Sequence, residues 1–218
     1  MLSLLYISCL TINLKGEAMD KILFFGGPWN CFSNFSAFKV LWAKIEWMTS
    51  EHAYQAAKFV HDKKIFEEVR NAPSAYESKK LAQNYKDHIR PDWYEVKLQI
   101  MEEIVRAKLE QHKYIQRKIL ETGDLEIIED SPYDDFWGRG PEWKGENHLG
   151  KIWMKLRTEL KTKIRNCNHE CICNCHQEPN ITHIRACCYQ CEICKRNIPW
   201  ELKNEHLKYC HLIKETKK

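Results

Sequence analysis

Nine of the eleven cysteines crowd between Cys167 and Cys210, and within that stretch Cys191 and Cys194 form a C-x2-C knuckle. After eleven intervening residues come His206 and Cys210, one helical turn apart. Three thiolates and one imidazole brought together in this way make a closed tetrahedral donor set, the chemistry of a structural zinc site. The competing reading is a set of unrelated buried thiols, but a tail with so few large apolar residues has no core in which to bury them without metal. Upstream, Cys171, Cys173, Cys175, His176, His183, Cys187 and Cys188 offer seven candidates for a second zinc, with Cys167 and His169 as outliers. Only four are needed, and the equal two-residue gaps between Cys188, Cys191 and Cys194 permit alternative frames. One or two structural zinc ions are therefore expected in the tail.

A different chemistry is spelled out earlier in the chain. Glu51, Gln55 and Lys58 are spaced i, i+4, i+7, so a helix would put a carboxylate and an ammonium on one face, about two turns apart. Such spacing more often makes a solvated salt-bridge face. Lys97 leaves from an apolar stripe that includes Ile100 and Ile104, one turn beyond Trp93. A lysine there usually snorkels to water; desolvated, its amine becomes a nucleophile or Schiff-base former. The run Tyr133-Asp134-Asp135-Phe136-Trp137-Gly138-Arg139-Gly140 sets two carboxylates beside tryptophan and glycine, a composition suited to a base-stacking or sugar-binding rim, although an aromatic-anchored surface loop reads the same way.

These residues need elements to carry them. Lys21 to Phe25 reads as a short strand, and Phe38 to Trp47 as a second strand or hairpin. Ser50 stands where an N-cap is expected, opening a helix from Glu51 to Val60. Further helices are expected over Asp62 to Arg70, from Pro73-Ser74 to about Asn84, from Trp93 to about His112, from Tyr114 to Leu120, and from His148 to about Lys163. The Trp93 helix has the clearest periodicity, with Val96, Ile100, Met101, Ile104, Val105 and Leu109 on one stripe. Leu125 to Ile128 is a candidate strand and Ser131 to Gly145 a loop. The fold class is α+β, mainly helical with a few short strands, followed by a small zinc-binding module. The expected organisation is an N-terminal extension over 1–18, a principal domain over 19–165 and a Cys/His-rich module over 166–218.

The 218 residues carry a net charge of +4, from 34 Lys and Arg against 30 Asp and Glu, without a dense basic stripe. From Asn166 onward there are eight Lys and Arg against six Glu, so strong nonspecific phosphate binding is not expected, although nucleic acid stays open as a partner. No run approaches a membrane span, and the first residues lack a basic start and a small-residue cleavage site. Cysteine clustering in a chain of this kind points to a reducing, cytoplasmic setting and to metal rather than disulfides.

The order and wording of the principal domain resemble the NADAR, or YbiA-like, family. The matching words are Phe32-Ser33-Asn34-Phe35, Thr49-Ser50-Glu51-His52 with Gln55, Lys58 and Phe59, Trp93 with Val96, Lys97 and Met101, and Ala107-Lys108-Leu109-Glu110-Gln111-His112. They continue through Asp134, Trp137-Gly138, Gly140, Gly145, Asn147, Leu149-Gly150, Met154 and Leu156-Arg157, covering about Leu23 to Leu160. The resemblance implies an enzyme that hydrolyses the C–N bond of an N-linked ribose, in a ribosylated riboflavin-pathway intermediate or in ADP-ribosyl-guanine. It implies catalytic roles for Glu51, Lys97 and Asp134, and substrate binding by Phe32, Asn34, Lys58, Trp93, Trp137, Gly138, Asn147 and Gly150, with no cofactor required for catalysis. Pro141 and Trp143 depart from the family's glycine-rich loop and are expected to stiffen and crowd that rim.

The chemistry suits these residue types. Breaking a ribosyl C–N bond builds positive charge on the anomeric carbon and negative charge on the departing base, which calls for a carboxylate and a proton donor. Glu51 and Asp134 are suited to divide those roles; capture of the ring-opened sugar by Lys97 as an imine is a second route. A non-catalytic ADP-ribose or nucleotide reader with a zinc-finger tail is the alternative. The tail itself is similar in composition to cysteine-rich zinc modules appended to phage-encoded proteins.

Overall fold

The computed structural model describes residues 20–165 and two short strands, 188–190 and 197–199. Two strands far apart in the chain, β1 (Lys21–Phe24) and β4 (Glu126–Glu129), pair in parallel, with Phe24 opposite Glu129. Between them run a hairpin and five helices. The hairpin joins β2 (Val40–Trp42) to β3 (Ile45–Trp47) through Ala43 and Lys44, both at positive φ. The helices are α1 (Ser50–Ala56), α2 (Lys63–Arg70), α3 (Ala75–Asn84), α4 (Trp93–Gln111) and α5 (Lys113–Glu121), and α6 (His148–Arg165) follows β4. The outcome is α+β and mostly helical, with element positions within a few residues of those expected.

Two details differ from the sequence reading. The cap of α1 is Thr49, whose hydroxyl accepts from the His52 amide at 3.3 Å, while Ser50 is already helical and fully buried. Extended backbone at Thr49 (φ −149°, ψ 165°) is what an N-cap requires. The first helix also tightens into a 3₁₀ turn over Ala57–Phe59, which carries Lys58.

Phe24, Phe32, Trp47, Phe59, Ile104, Ile119, Ile127 and Trp153 form the fully buried heart of the core. Among them sits an amine. Lys108, on the same stripe of α4 as Ile104 and Val105, is fully buried and donates to the Ser33 carbonyl at 2.8 Å and to Ser36 Oγ at 2.7 Å. Those bonds pin the turn that carries Asn34 and Phe35. Burial pulls the Lys108 amine down to about 7.

The parallel pair is locked to α6 by close approach. Asn147, at φ 52°, accepts from the Glu129 amide at 3.1 Å and donates to the Ile127 carbonyl at 3.0 Å. A Cβ on Gly150 would stand 2.1 Å from that carbonyl oxygen. Gly150→Ala is therefore expected to cost about 1–3 kcal/mol through forced separation of α6 from β4. Thermal unfolding reads this as a fall of roughly 3–10 °C in Tm.

Of the tail, β5 (Cys188–Gln190) and β6 (Asn197–Pro199) pair antiparallel, with Cys188 opposite Pro199. The expected ligands Cys171, Cys173, Cys175, His176, His183, Cys187, Cys191, Cys194, His206 and Cys210 lie outside the described residues, as does the extension over 1–18. Among the described residues no helix is long and apolar enough to cross a membrane.

Candidate active site

A cavity of about 170 Å³ opens where α1, the turn after β1, α3, α4 and the loop after β4 converge. It is lined by Asn34, Phe35, Glu51, Tyr54, Gln55, Lys58, Lys79, Met101, Glu129, Asp134 and Trp137. The spacing of Glu51, Gln55 and Lys58 thus defines an inward face: Glu51 and Gln55 are buried, and Lys58 is half-buried. Gln55 Nε2 donates to Glu51 Oε1 at 2.7 Å. The Lys58 ammonium lies 5.5 Å from the Tyr54 ring centroid and 5.6 Å from that of Trp93.

A larger cavity of about 440 Å³ shares Phe35, Lys79, Glu129 and Asp134 with the first, so the two form inner and outer chambers of one cleft. Tyr76, Lys80, Gln83, Ser131 and Tyr133 complete the outer wall. Tyr133 is 95% exposed and Tyr76 65%, leaving aromatic faces beside two lysines at the entrance.

The residues implied by the family resemblance separate into three groups. Glu51, Asp134, Asn34, Lys58 and Trp137 meet in the inner chamber. Asp134 also accepts from the Phe136 and Trp137 amides, at 3.1 and 2.7 Å, which fixes its own loop. Phe32, Trp93, Gly138, Asn147 and Gly150 do not line it; they build its supports. Phe32 is fully buried against Trp29, Phe24 and Trp153. Trp93 packs on Tyr54, with ring centroids 5.0 Å apart. Gly138 lets the Ser131 side chain and the Glu129 carbonyl approach where a Cβ would stand.

Lys97 stands apart. It is absent from the lining of both chambers, and its ammonium is 3.4 Å from the Phe136 ring centroid. The physical reason is local: Phe136 offers a π face at van der Waals distance, and Tyr94 flanks the same ammonium at 5.2 Å. Pro141 and Trp143 also line neither chamber. Trp143 is instead a partly exposed platform under Arg139 and Lys21.

The residues missing from the sequence reading are Tyr54, Lys79 and above all Glu129. Alternation along β4 puts Glu129 on the side of fully buried Ile127, and that periodicity was the available signal. Glu129 Oε2 is shut off from solvent and has no partner within the protein. The same holds for Asn34 Oδ1 and Gln55 Oε1. All three residues line the chamber, and each keeps a buried oxygen without a partner in the protein, a costly arrangement.

Electrostatics sort the ionisable groups. Burial raises Glu51 and Asp134 adds to the rise, which Gln55 and the ammonium groups of Lys79 and Lys58 offset only in part. Glu129 is pushed up to about 8 by burial and then by the carboxylates of Asp134 and Glu51, with Lys79 alone opposing. Burial pulls Lys58 down to about 8 despite Glu51. The chamber therefore holds two carboxyl groups that burial pushes up, Glu51 and Glu129, and an amine that loses its proton easily.

Residues 23–161 match the family model of the NADAR domain. The chain belongs to the NADAR family. It is 41% identical over 139 residues to the N-glycosidase Npun_R5314 of Nostoc punctiforme, covering 63% of this chain and 89% of that protein. With the N-glycosidase YbiA of Escherichia coli it shares 37% identity over 129 residues, 59% of this chain and 80% of the relative. A riboflavin biosynthesis protein of Vibrio vulnificus is 34% identical over 155 residues, of which this NADAR chain spans 42% of the length. The solved structure of E. coli YbiA superposes with a TM-score of 0.63 at 33% identity, covering 71% of this chain and 94% of that one.

Proposed function

We propose that the inner chamber holds an N-linked ribose at its anomeric carbon, and that Glu51 and Lys58 break the C–N bond there. The chain is an N-glycosidase, a hydrolase acting on N-glycosyl bonds. The observation that carries the finer reading is one chamber lined by a buried carboxyl, a desolvated amine and the polar side chains of Asn34 and Gln55. Sugar hydroxyls both donate and accept, and the polar side chains of Asn34, Gln55 and Lys58 line the chamber that receives them.

Glu51 stabilises positive charge as it develops on the anomeric carbon. The lone pair of the glycosidic nitrogen forms a C1′=N bond as C1′–O4′ breaks, O4′ takes the proton that nitrogen sheds, and the neutral Lys58 amine adds to C1′ with one of its protons passing back to the nitrogen. The base departs with the C–N electron pair and one proton, leaving a lysyl imine. Water then hydrolyses the imine, returning the free amine and a reducing ribose. Lys97, seated over Phe136, supports the loop that presents Asp134 and Trp137.

The outer chamber suits the rest of a ribosylated substrate. Lys79 and Lys80 offer cations to a phosphate ester, and Phe35, Tyr76 and Tyr133 offer stacking faces for a second ring. Substrates in which the ribose carries a phosphate, among them ribosylaminouracil phosphate and ADP-ribosyl-guanine, satisfy both chambers. Incubation with each, with free base and reducing sugar measured, is expected to show turnover of at least one. Binding of both without release of base would instead make the chain a reader of such ligands.

The tail is proposed to hold one or two structural zinc ions. A set of three thiolates and one imidazole suits that ion, and Cys191 and Cys194 fall in the segment joining β5 to β6, as a knuckle requires. Chelation followed by metal analysis is expected to strip zinc while turnover persists. Activity falling in proportion to zinc lost would make the tail part of the site.

A further inference from the structure

We propose that Glu129 is the general acid of this reaction, giving its proton to the departing base. The inference rests on the N-glycosidase reading above and goes beyond the family motif, in which Glu51, Lys97 and Asp134 carry the polar roles. Its ground is position. Glu129 is the last residue of β4, and its backbone is fixed on both sides: the Asn147 side chain accepts its amide hydrogen, and Arg139 N donates to its carbonyl at 3.0 Å. The carboxyl lines both chambers, so it stands at the junction between the sugar site and the space outside it.

The carboxyl also has nothing else to do. Its Oε2 is sequestered from solvent without a partner. The charged groups facing it are Glu51 from α1, Asp134 from the following loop and Lys79 from α3, two anions against one cation. A carboxylate in that company keeps its proton, and the balance of burial and repulsion holds the group near 8. Burial raises Glu51 as well, with Asp134 adding to the rise, and a hydrogen bond from Gln55 and two ammonium groups oppose it only in part. Glu51 is held by the Gln55 amide inside the smaller chamber, whereas Glu129 borders both chambers, and that placement assigns the proton-donor role to Glu129.

The C1′–N bond breaks, its electron pair goes to the base nitrogen, and that nitrogen takes the proton from Glu129. The base leaves neutral. Water entering to hydrolyse the sugar-bearing imine donates a proton back, so Glu129 ends protonated and the net reaction consumes one water. The acid must hold its proton at the start, so activity falls as pH rises through about 8. The Lys58 amine must lack one, so activity falls as pH drops below about 8. Turnover against pH is a narrow bell.

The test is the pH dependence of kcat/KM for wild type and Glu129→Gln on ribosylaminouracil phosphate and ADP-ribosyl-guanine. The variant is expected to lose about 10²–10⁴-fold, and its residual activity to lack the alkaline fall while keeping the acidic one. Because a carboxyl raised in the folded state costs stability above its unfolded value of 4.5, the variant should melt no lower than wild type in alkaline buffer. Residual activity within about threefold of wild type, or an alkaline limb that survives the substitution, overturns the assignment while the N-glycosidase reading stands. A wild type that frees base from neither substrate overturns that reading itself.

Discussion

Lys58→Met is expected to abolish turnover, by at least about a thousandfold, while Lys97→Met retains most of it. Both lysines sit near aromatic rings, and the difference between them is what else they face. The Lys58 amine opens into a chamber with a buried carboxyl, and desolvation brings its proton affinity down to about 8. A nucleophile needs a lone pair, and this amine is neutral in a useful fraction of molecules at neutral pH. Lys97 lies against the Phe136 face at 3.4 Å, and an ammonium held there anchors a loop. Its loss should raise KM more than it lowers kcat, since Asp134 and Trp137 ride on that loop. Borohydride added during turnover is expected to trap substrate sugar on the peptide containing Lys58. Trapping on the Lys97 peptide, or equal damage from both substitutions, would contradict this division of labour.

Glu51→Gln is the second large effect, about 10²–10⁴-fold in kcat with little change in substrate affinity. The amide keeps the size of the side chain and can still accept from Gln55, which now donates to Glu51 Oε1 at 2.7 Å. What disappears is the negative charge opposite the anomeric carbon, an interaction made chiefly in the transition state. The same substitution removes the anion that holds Lys58 protonated, so the acidic limb of the pH profile should move to lower pH. The pH profile with calorimetric binding checks both halves. A variant that loses affinity but not kcat would place Glu51 in ground-state binding alone.

Much of this site is legible in the chain because helical spacing reports direction. Glu51, Gln55 and Lys58 share a face at i, i+4, i+7, and the face turned out to be the inward one. What spacing does not report is whether a polar face meets water or a chamber. The solvated reading fails here because α1 is enclosed by α2, α3 and α4, so that all seven of its residues are buried. Lys97 and Lys108 show the same limit. Both leave the apolar side of α4, yet the second is driven into the core by carbonyl and hydroxyl acceptors 72 and 75 residues away in sequence. Glu129 was hidden for a related reason: its strand is four residues long and its partner strand is about a hundred positions upstream, so alternation gives the side its carboxyl lies on but not the chamber found there. Phe32, Asn147 and Gly150 carry family wording because the scaffold needs them, and motif membership alone does not distinguish a wall from the stud behind it.

The most direct test is a structure of the Glu51→Gln protein holding an uncleaved phosphorylated N-riboside. C1′ is expected in the smaller chamber, within contact distance of residue 51 and Lys58, with the base nitrogen facing Glu129 and the phosphate toward Lys79 and Lys80. A sugar seated elsewhere, such as the cavity between α4 and α6 bordered by Arg106 and Glu159, would contradict it.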